Sequence, residues 1–166
     1  MPIEILFDWE KVKKSLDGNK LHADDIILLL LDAGKTTGKT ILQKEVFLAS
    51  KEVFRDLSGD LLYHPDQYGP YSKVVEDTTR ILKYERKITV TSKGDGHSTY
   101  FIEERGKEQV KEICLRKNIP ESKLAELKER KANWDEWNMA GIIRYVYRNY
   151  PEYATMTRVP MLKWEL

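Results

Sequence analysis

With 166 residues, 41% of them hydrophobic, the chain is long enough to bury a sizeable core and too apolar to stay disordered. Its 28 basic residues stand against 27 acidic ones, a formal charge of +1, which argues against a general polyanion binder; any affinity for nucleic acid has to come from local placement of charge. A lone cysteine, Cys114, excludes an internal disulfide and fits a reducing compartment.

Met1 to Asp8 carries no basic n-region and only a short apolar run, so it does not read as a signal peptide. The longest apolar run, Ile26 to Leu31, is far short of the roughly 20 residues a membrane span needs. The expectation is a soluble, cytoplasmic protein with no membrane association.

In chain order, Ile3 to Phe7 is a short apolar piece, and Asp8 is placed to cap a brief helix with Trp9, Val12 and Leu16 on one face, ended by Asp17-Gly18-Asn19. His22 to Ala33 reads as a central core helix, acidic at its start (Asp24, Asp25), apolar nearly all round, and stopped by Gly34. Lys35 to Lys39 is a connector with room for a short strand. Thr40 is expected to cap a second helix, with Leu42, Val46, Ala49 and Val53 at helical spacing and Lys39, Lys44, Lys51 and Arg55 on other faces. Leu61 to Gln67 reads as irregular because of Pro65. Pro70 is expected in the first turn of a third helix, with Tyr71, Val74, Val75, Thr78, Ile81 and Leu82 as its apolar stripe.

Ile88 to Ser92 and Thr99 to Glu103 are β-rich and flank the loop Lys93-Gly94-Asp95-Gly96-His97-Ser98, which predicts a hairpin, or wing. A helix follows from Gly106, with Val110, Ile113 and Cys114 on one face. A charge-rich, solvated helix to about Lys131 comes next, capped near Asn118-Ile-Pro-Glu121. Trp134 to Tyr150 is expected to be the last strong helix, stopped by Pro151. The tail carries apolar anchors without a period. The fold class is therefore mainly α with a small β-hairpin (α+β): a lead-in over 1–21, a winged helix-turn-helix-like domain over 22–105 and a C-terminal helical extension over 106–166.

The stretch Gly34-Lys-Thr-Thr-Gly38-Lys39-Thr40 invites a phosphate-loop reading, but that motif places four residues between its glycines and this one has three. His22, His64 and His97 lie far apart with no partner at ligand spacing, so no metal is expected. Cys114 falls on an apolar helix face, where a free cysteine acts as a small hydrophobe. With no nucleophile elbow and no paired-carboxylate signal, the chain is not expected to be an enzyme, nor to hold a cofactor.

Two functions stand from the residues. If the helix after the turn enters a DNA groove, Ser72, Lys73, Thr79, Arg80 and Lys83 form the reading face, Lys93 and His97 come from the wing, and Lys39 and Lys44 meet phosphates of double-stranded DNA. Glu76 and Asp77 interrupt that face. The alternative is a protein-interaction module, with Tyr68 and Tyr71 beside Gly69-Pro70 as partner-binding candidates. The aromatic surplus of the last helix (Trp134, Trp137, Tyr145 and Tyr147) adds a further candidate interface, and a homodimer through that helix or the lead-in is expected.

Leu42-Gln-Lys-Glu-Val-Phe-Leu-Ala, followed some twenty residues later by Tyr68-Gly-Pro-Tyr-Ser and a long helix, resembles the uncharacterised YwgA-type bacterial and archaeal proteins. More distantly it is similar to the Panacea domain of phage-associated and SocA-like antitoxins. The resemblance covers about residues 24 to 105. It implies a small helical domain with a hairpin, no known catalytic residues, and a role in binding proteins or DNA, toxin neutralisation included.

Overall fold

The computed structural model describes residues 20–93 and 97–158. The expected lead-in helix (Asp8, Trp9, Val12, Leu16), the tip of the hairpin loop and the tail anchors from Val159 onward lie outside the described residues. What is described is mainly helical with a small antiparallel sheet.

The element α1 (Ala23–Ala33) is the centre of the core, with Ile26 to Leu31 all buried. His22 precedes it, and the His22 N–H donates to Asp25 Oδ2 at 2.9 Å, which satisfies one of the donors a helix start leaves open. After the short strand β1 (Thr36–Thr37) comes α2 (Lys39–Leu48), whose N-cap is Gly38 and not Thr40. Gly38 has φ of +107°, a backbone state that Thr would resist. The helix then loosens into a π-turn over Ala49–Val53, where the Phe54 N–H reaches the Ala49 carbonyl at 2.9 Å, one residue beyond α-helical spacing.

The segment expected to be irregular forms a two-stranded ribbon, β2 (His64–Asp66) against β3 (Gly69–Tyr71). Pro65 faces Pro70 across it; neither has an N–H to give, and an isolated ribbon tolerates that. The expectation that Pro70 opens the third helix is thereby corrected. α3 (Lys73–Tyr84) starts three residues later, capped by Ser72, whose Oγ accepts from the Val75 N–H at 3.1 Å. Its buried face is Val75, Thr79 and Leu82; Val74 and Ile81, expected in the apolar stripe, are 39% and 55% exposed.

The strands β4 (Ile88–Lys93) and β5 (His97–Ile102) pair from Ile88↔Ile102 to Lys93↔His97, and β1 joins the free edge of β5 to give the order β1-β5-β4. α4 (Glu104–Arg116) packs on α1 through Val110 and Ile113, with Cys114 half-buried beside them and its thiol pushed up by burial. Gly106 lies where a Cβ would collide with the Lys87 carbonyl, so only glycine lets α4 meet the start of β4.

The region after Arg116 departs most from expectation. α5 runs Glu121–Glu136 and α6 runs Asn138–Asn149, two helices where the periodicity predicts one break near Lys131 and a single helix from Trp134. Asn138 adopts φ of +56° and its Oδ1 accepts from the Gly141 N–H at 3.0 Å; Asn tolerates the left-handed state and supplies its own cap, so the chain turns there. α5 packs on α1 and the π-turn, while α6 packs on α2 and β3. A single cluster of buried apolar side chains runs from Leu21 through α1, α2 and α3 to Leu127, Trp134, Ile143 and Tyr147, so position 105 is no break in the core.

Candidate interaction surface

The two sequence motifs that carry the family resemblance meet in space. Gln43 on α2 closes a two-way bond with the backbone of Ser72: its Nε2 donates to the Ser72 carbonyl and its Oε1 accepts from the Ser72 N–H, both at 3.0 Å. One residue on, Lys44 Nζ donates to the Pro70 carbonyl at 3.0 Å. Ser72 Oγ donates to the Leu61 carbonyl at 2.6 Å while it caps α3. Gly69, at φ of +99°, lets the ribbon lie against the Lys44 stem and the ring of Tyr147; a Cβ there would stand 3.3 and 3.2 Å from them. The Leu-Gln-Lys and Tyr-Gly-Pro motifs are a clasp that fixes where α3 starts. The clasp is buried, and desolvation pulls the Lys44 ammonium down to about 8.

Burial takes Lys44 and Ser72 out of the expected DNA-reading set and leaves Thr79 only as part of a groove floor. Lys44 is 3% exposed, Ser72 0% and Thr79 8%. Their positions on the helix wheel put them toward the core, where backbone carbonyls take their donors; Thr79 Oγ1, for example, donates to Val75 O at 2.7 Å. Lys44 and Ser72 are not placed to touch a ligand from outside, whereas Thr79, though largely buried, lines the groove between α2, α3 and the sheet.

The others are on the surface. A groove of about 220 Å³ lies between α2, α3 and the sheet, with Lys39, Arg80 and Lys83 on its rim and Leu42, Val90 and Tyr100 at its base. Glu76 projects into the middle. Its side chain is 15% exposed and holds Lys39 Nζ at 3.3 Å and an Arg80 Nη at 3.1 Å, and it also accepts from the Tyr71 hydroxyl. Asp77 takes Lys73 at 3.0 Å and the second Arg80 Nη at 3.5 Å. Lys83, Lys93 and His97 are exposed. Three of the cations expected to reach phosphate are therefore already engaged by the protein's own carboxylates, while the outer face of α3 shows Ile81 and, at 88% exposed, Tyr84.

The partner-binding candidates divide as well. Tyr68 is 42% exposed on the ribbon turn, and Tyr71 is half-buried by its bond to Glu76. Trp134 and Tyr147, expected to enrich an outward aromatic face, are 2% and 0% exposed. The break lies at Asn138 and not between Lys131 and Trp134, so Trp134 falls on the buried stripe of α5 and Tyr147 on that of α6, which uses up much of the aromatic surplus. Trp137 and Tyr145 lie against each other with ring centroids 4.9 Å apart, and the Tyr145 hydroxyl donates to Glu52. Glu52, carried on the π-turn, also accepts from the Tyr150 hydroxyl at 2.9 Å and Arg130 at 3.0 Å, tying α5 and α6 to the end of α2.

A second charged cluster was not foreseen from the sequence. Lys131, expected on a solvated face, is 1% exposed. Its ammonium donates to the Lys35 carbonyl (2.7 Å), to Glu45 Oε1 (3.4 Å) and to both Asp135 oxygens (3.1 and 3.0 Å). Glu45 is 0% exposed and accepts from the Thr36 hydroxyl at 2.6 Å. Burial pushes the Glu45 carboxyl up, to about 8, with neighbouring Asp135 adding to the rise and Lys131 opposing it. The signal was present but inverted: Lys131 sits four residues after Leu127 and three before Trp134, on the buried stripe of α5.

Comparison with family models, with curated proteins and with solved structures finds no match for this chain.

Proposed function

We propose that this chain is a non-catalytic binding protein built on a winged-helix-type domain, and that its ligand is another protein. The order α1, β1, α2, α3, β4, β5, with β1 on the outer edge of β5, is the arrangement that supports the domain reading. The observation that carries the ligand class is the pairing of Lys39, Lys73 and Arg80 with Glu76 and Asp77. Carboxylates in the middle of a reading face repel phosphate, whereas a mixed charged face with the exposed apolar side chains Ile81 and Tyr84 suits a protein surface. A toxin or an adaptor target belongs to this class.

One observation favours the second reading, double-stranded DNA: Lys83 on α3, and Lys93 and His97, which face each other in the last register of the hairpin, are all exposed. A salt series of anisotropy titrations with a labelled duplex separates the two. The protein reading expects weak binding whose dependence on salt is shallow. Tight binding that falls with a log–log slope of about one per phosphate contact overturns it.

A further inference from the structure

We propose that the groove between α2, α3 and the sheet receives an acidic segment of the protein partner, with a partner carboxylate taking the place Glu76 holds between Lys39 and Arg80. This rests on the protein-partner reading and names its site and chemistry.

Charge complementarity selects the occupant. The groove is lined by three cations and one carboxylate. Lys39 and Arg80 keep side chains 67% and 66% exposed although they bind Glu76, which is itself only 15% exposed. The carboxylate sits inside and the cations reach past it. An ammonium offers three donors and a guanidinium five, so both have donors left for a second acceptor approaching from solvent. Lys83, on the same rim, has no acidic partner within ion-pair distance among the described residues.

The base of the groove sets the second requirement. Leu42 and Tyr100 are 3% and 7% exposed and Val90 is half-buried beside them, an apolar patch that an aliphatic side chain next to the carboxylate would cover. The uncharged polar residues of the groove are already committed, Gln43 to Ser72 and the Thr79 hydroxyl to the Val75 carbonyl. Glu76 thus acts as an internal stand-in: it keeps two cations oriented while the groove is empty and has to yield, at least in part, when the partner docks. A duplex fits this arrangement poorly, because its phosphate backbone brings no aliphatic side chain to cover Leu42, Val90 and Tyr100.

The test is fluorescence anisotropy with a labelled eight-residue peptide of alternating Glu and Leu, set beside the corresponding Lys/Leu peptide and a 15-base-pair duplex. Saturable binding of the Glu/Leu peptide alone is expected. Lys83→Glu, a change at an exposed side chain that leaves the fold intact, should weaken it by about tenfold, the order of a lost charge contact. Glu76→Gln should tighten it by about threefold, with a thermal melt confirming that the loss of the Tyr71 contact has not unfolded α3. No binding of the Glu/Leu peptide, or equal binding of the Lys/Leu peptide, overturns the proposal. Binding that ignores Lys83→Glu and disappears with Tyr84→Ala removes the groove and leaves the protein-partner reading standing. Binding of the duplex that Glu76→Gln strengthens and salt abolishes overturns both.

Discussion

α2 contributes to two charge clusters of similar make-up and opposite circumstance. At its first residue, Lys39 joins Arg80 around Glu76 in an open groove; two turns later, Glu45 joins Asp135 around Lys131 in the interior. The first has cations 67% and 66% exposed, and the second has a lysine at 1% and a glutamate at 0%. In water an ion pair is cheap to form and cheap to lose, so the groove can exchange partners. In the interior Lys131 and Glu45 have given up their hydration and depend on their partners, so the buried cluster can only hold. What it holds is the junction of α1, β1 and α2 against α5, through the Lys35 carbonyl, Thr36 and Glu45.

The largest effect should come from breaking the buried cluster. Lys131→Met leaves the Lys35 carbonyl without its side-chain donor and Glu45 with the Thr36 hydroxyl alone, and is expected to cost about 3 kcal/mol in urea denaturation. That is the low end for breaking a buried pair, because Asp135, 44% exposed, can turn to water. Adding Glu45→Gln to Lys131→Met should recover part of the loss, since the stranded carboxyl is then gone. A single-variant cost under about 0.5 kcal/mol would place this cluster with the surface pairs and erase the contrast.

Acidity probes the same cluster without mutation. The folded Glu45 carboxyl is held up, to about 8, against 4.5 for the free side chain. The native state therefore binds the extra proton between those values, and stability from this group falls as pH rises from about 4.5 to about 8. Lys44 has the opposite sign. Its ammonium is pulled down from 10.5 to about 8, so the unfolded chain holds the extra proton above that value and stability recovers as pH rises past 8. The urea midpoint should have a minimum near pH 8. Glu45→Gln should flatten the acid limb and Lys44→Met the alkaline one. A midpoint that rises steadily from pH 5 to pH 8 would contradict this.

The clasp gives the next effect. Gly69→Ala puts a Cβ on a residue at φ of +99°, 3.2 Å from the Tyr147 ring and 3.3 Å from the Lys44 stem, and should cost about 2 kcal/mol by thermal melting. If Gly69→Ala is neutral, the clasp does not constrain where α3 begins.

How much of this could be read from the residues follows the same divide. The central helix, the hairpin and the Cys114 face have periodicities of their own and are found in the structure, although Lys93, His97 and Ser98, expected in the loop, extend the strands and the Cys114 helix starts at Glu104, two residues before Gly106. The start of α3 was misplaced because Pro70 is as acceptable in a two-strand ribbon as in a first helical turn; Ser72, a good cap two residues later, was the better signal. The split at Asn138 depends on one residue's tolerance of a left-handed backbone, which periodicity does not see. For the sites, exposed residues such as Lys39, Arg80 and Lys83 were legible as surface charges, and the groove brings them together. Buried charges were not. Lys44 and Lys131 were assigned to solvent by residue type and Glu45 was given no place, and only their partners, Pro70, Lys35 and Thr36, explain why all three are inside.

The smallest effect belongs to the outer edge of α3, and it is informative because it should be small. Lys73 and Asp77 are one helical turn apart, with side chains 62% and 48% exposed, and Asp77 already has Arg80 as a second cation. Lys73→Ala removes one exposed i,i+4 pair and is expected to change stability by about 0.3 kcal/mol, within the scatter of most surface substitutions. It should also leave Glu/Leu-peptide binding within about twofold, because Lys73 is not among the residues of the groove, whereas Lys83→Glu acts at the rim itself. Isothermal measurements on the two variants side by side therefore separate charge that lines the groove from charge that merely sits on the same helix. Equal losses of binding from both would mean that the whole face of α3 attracts the peptide and that the groove has no special part in it.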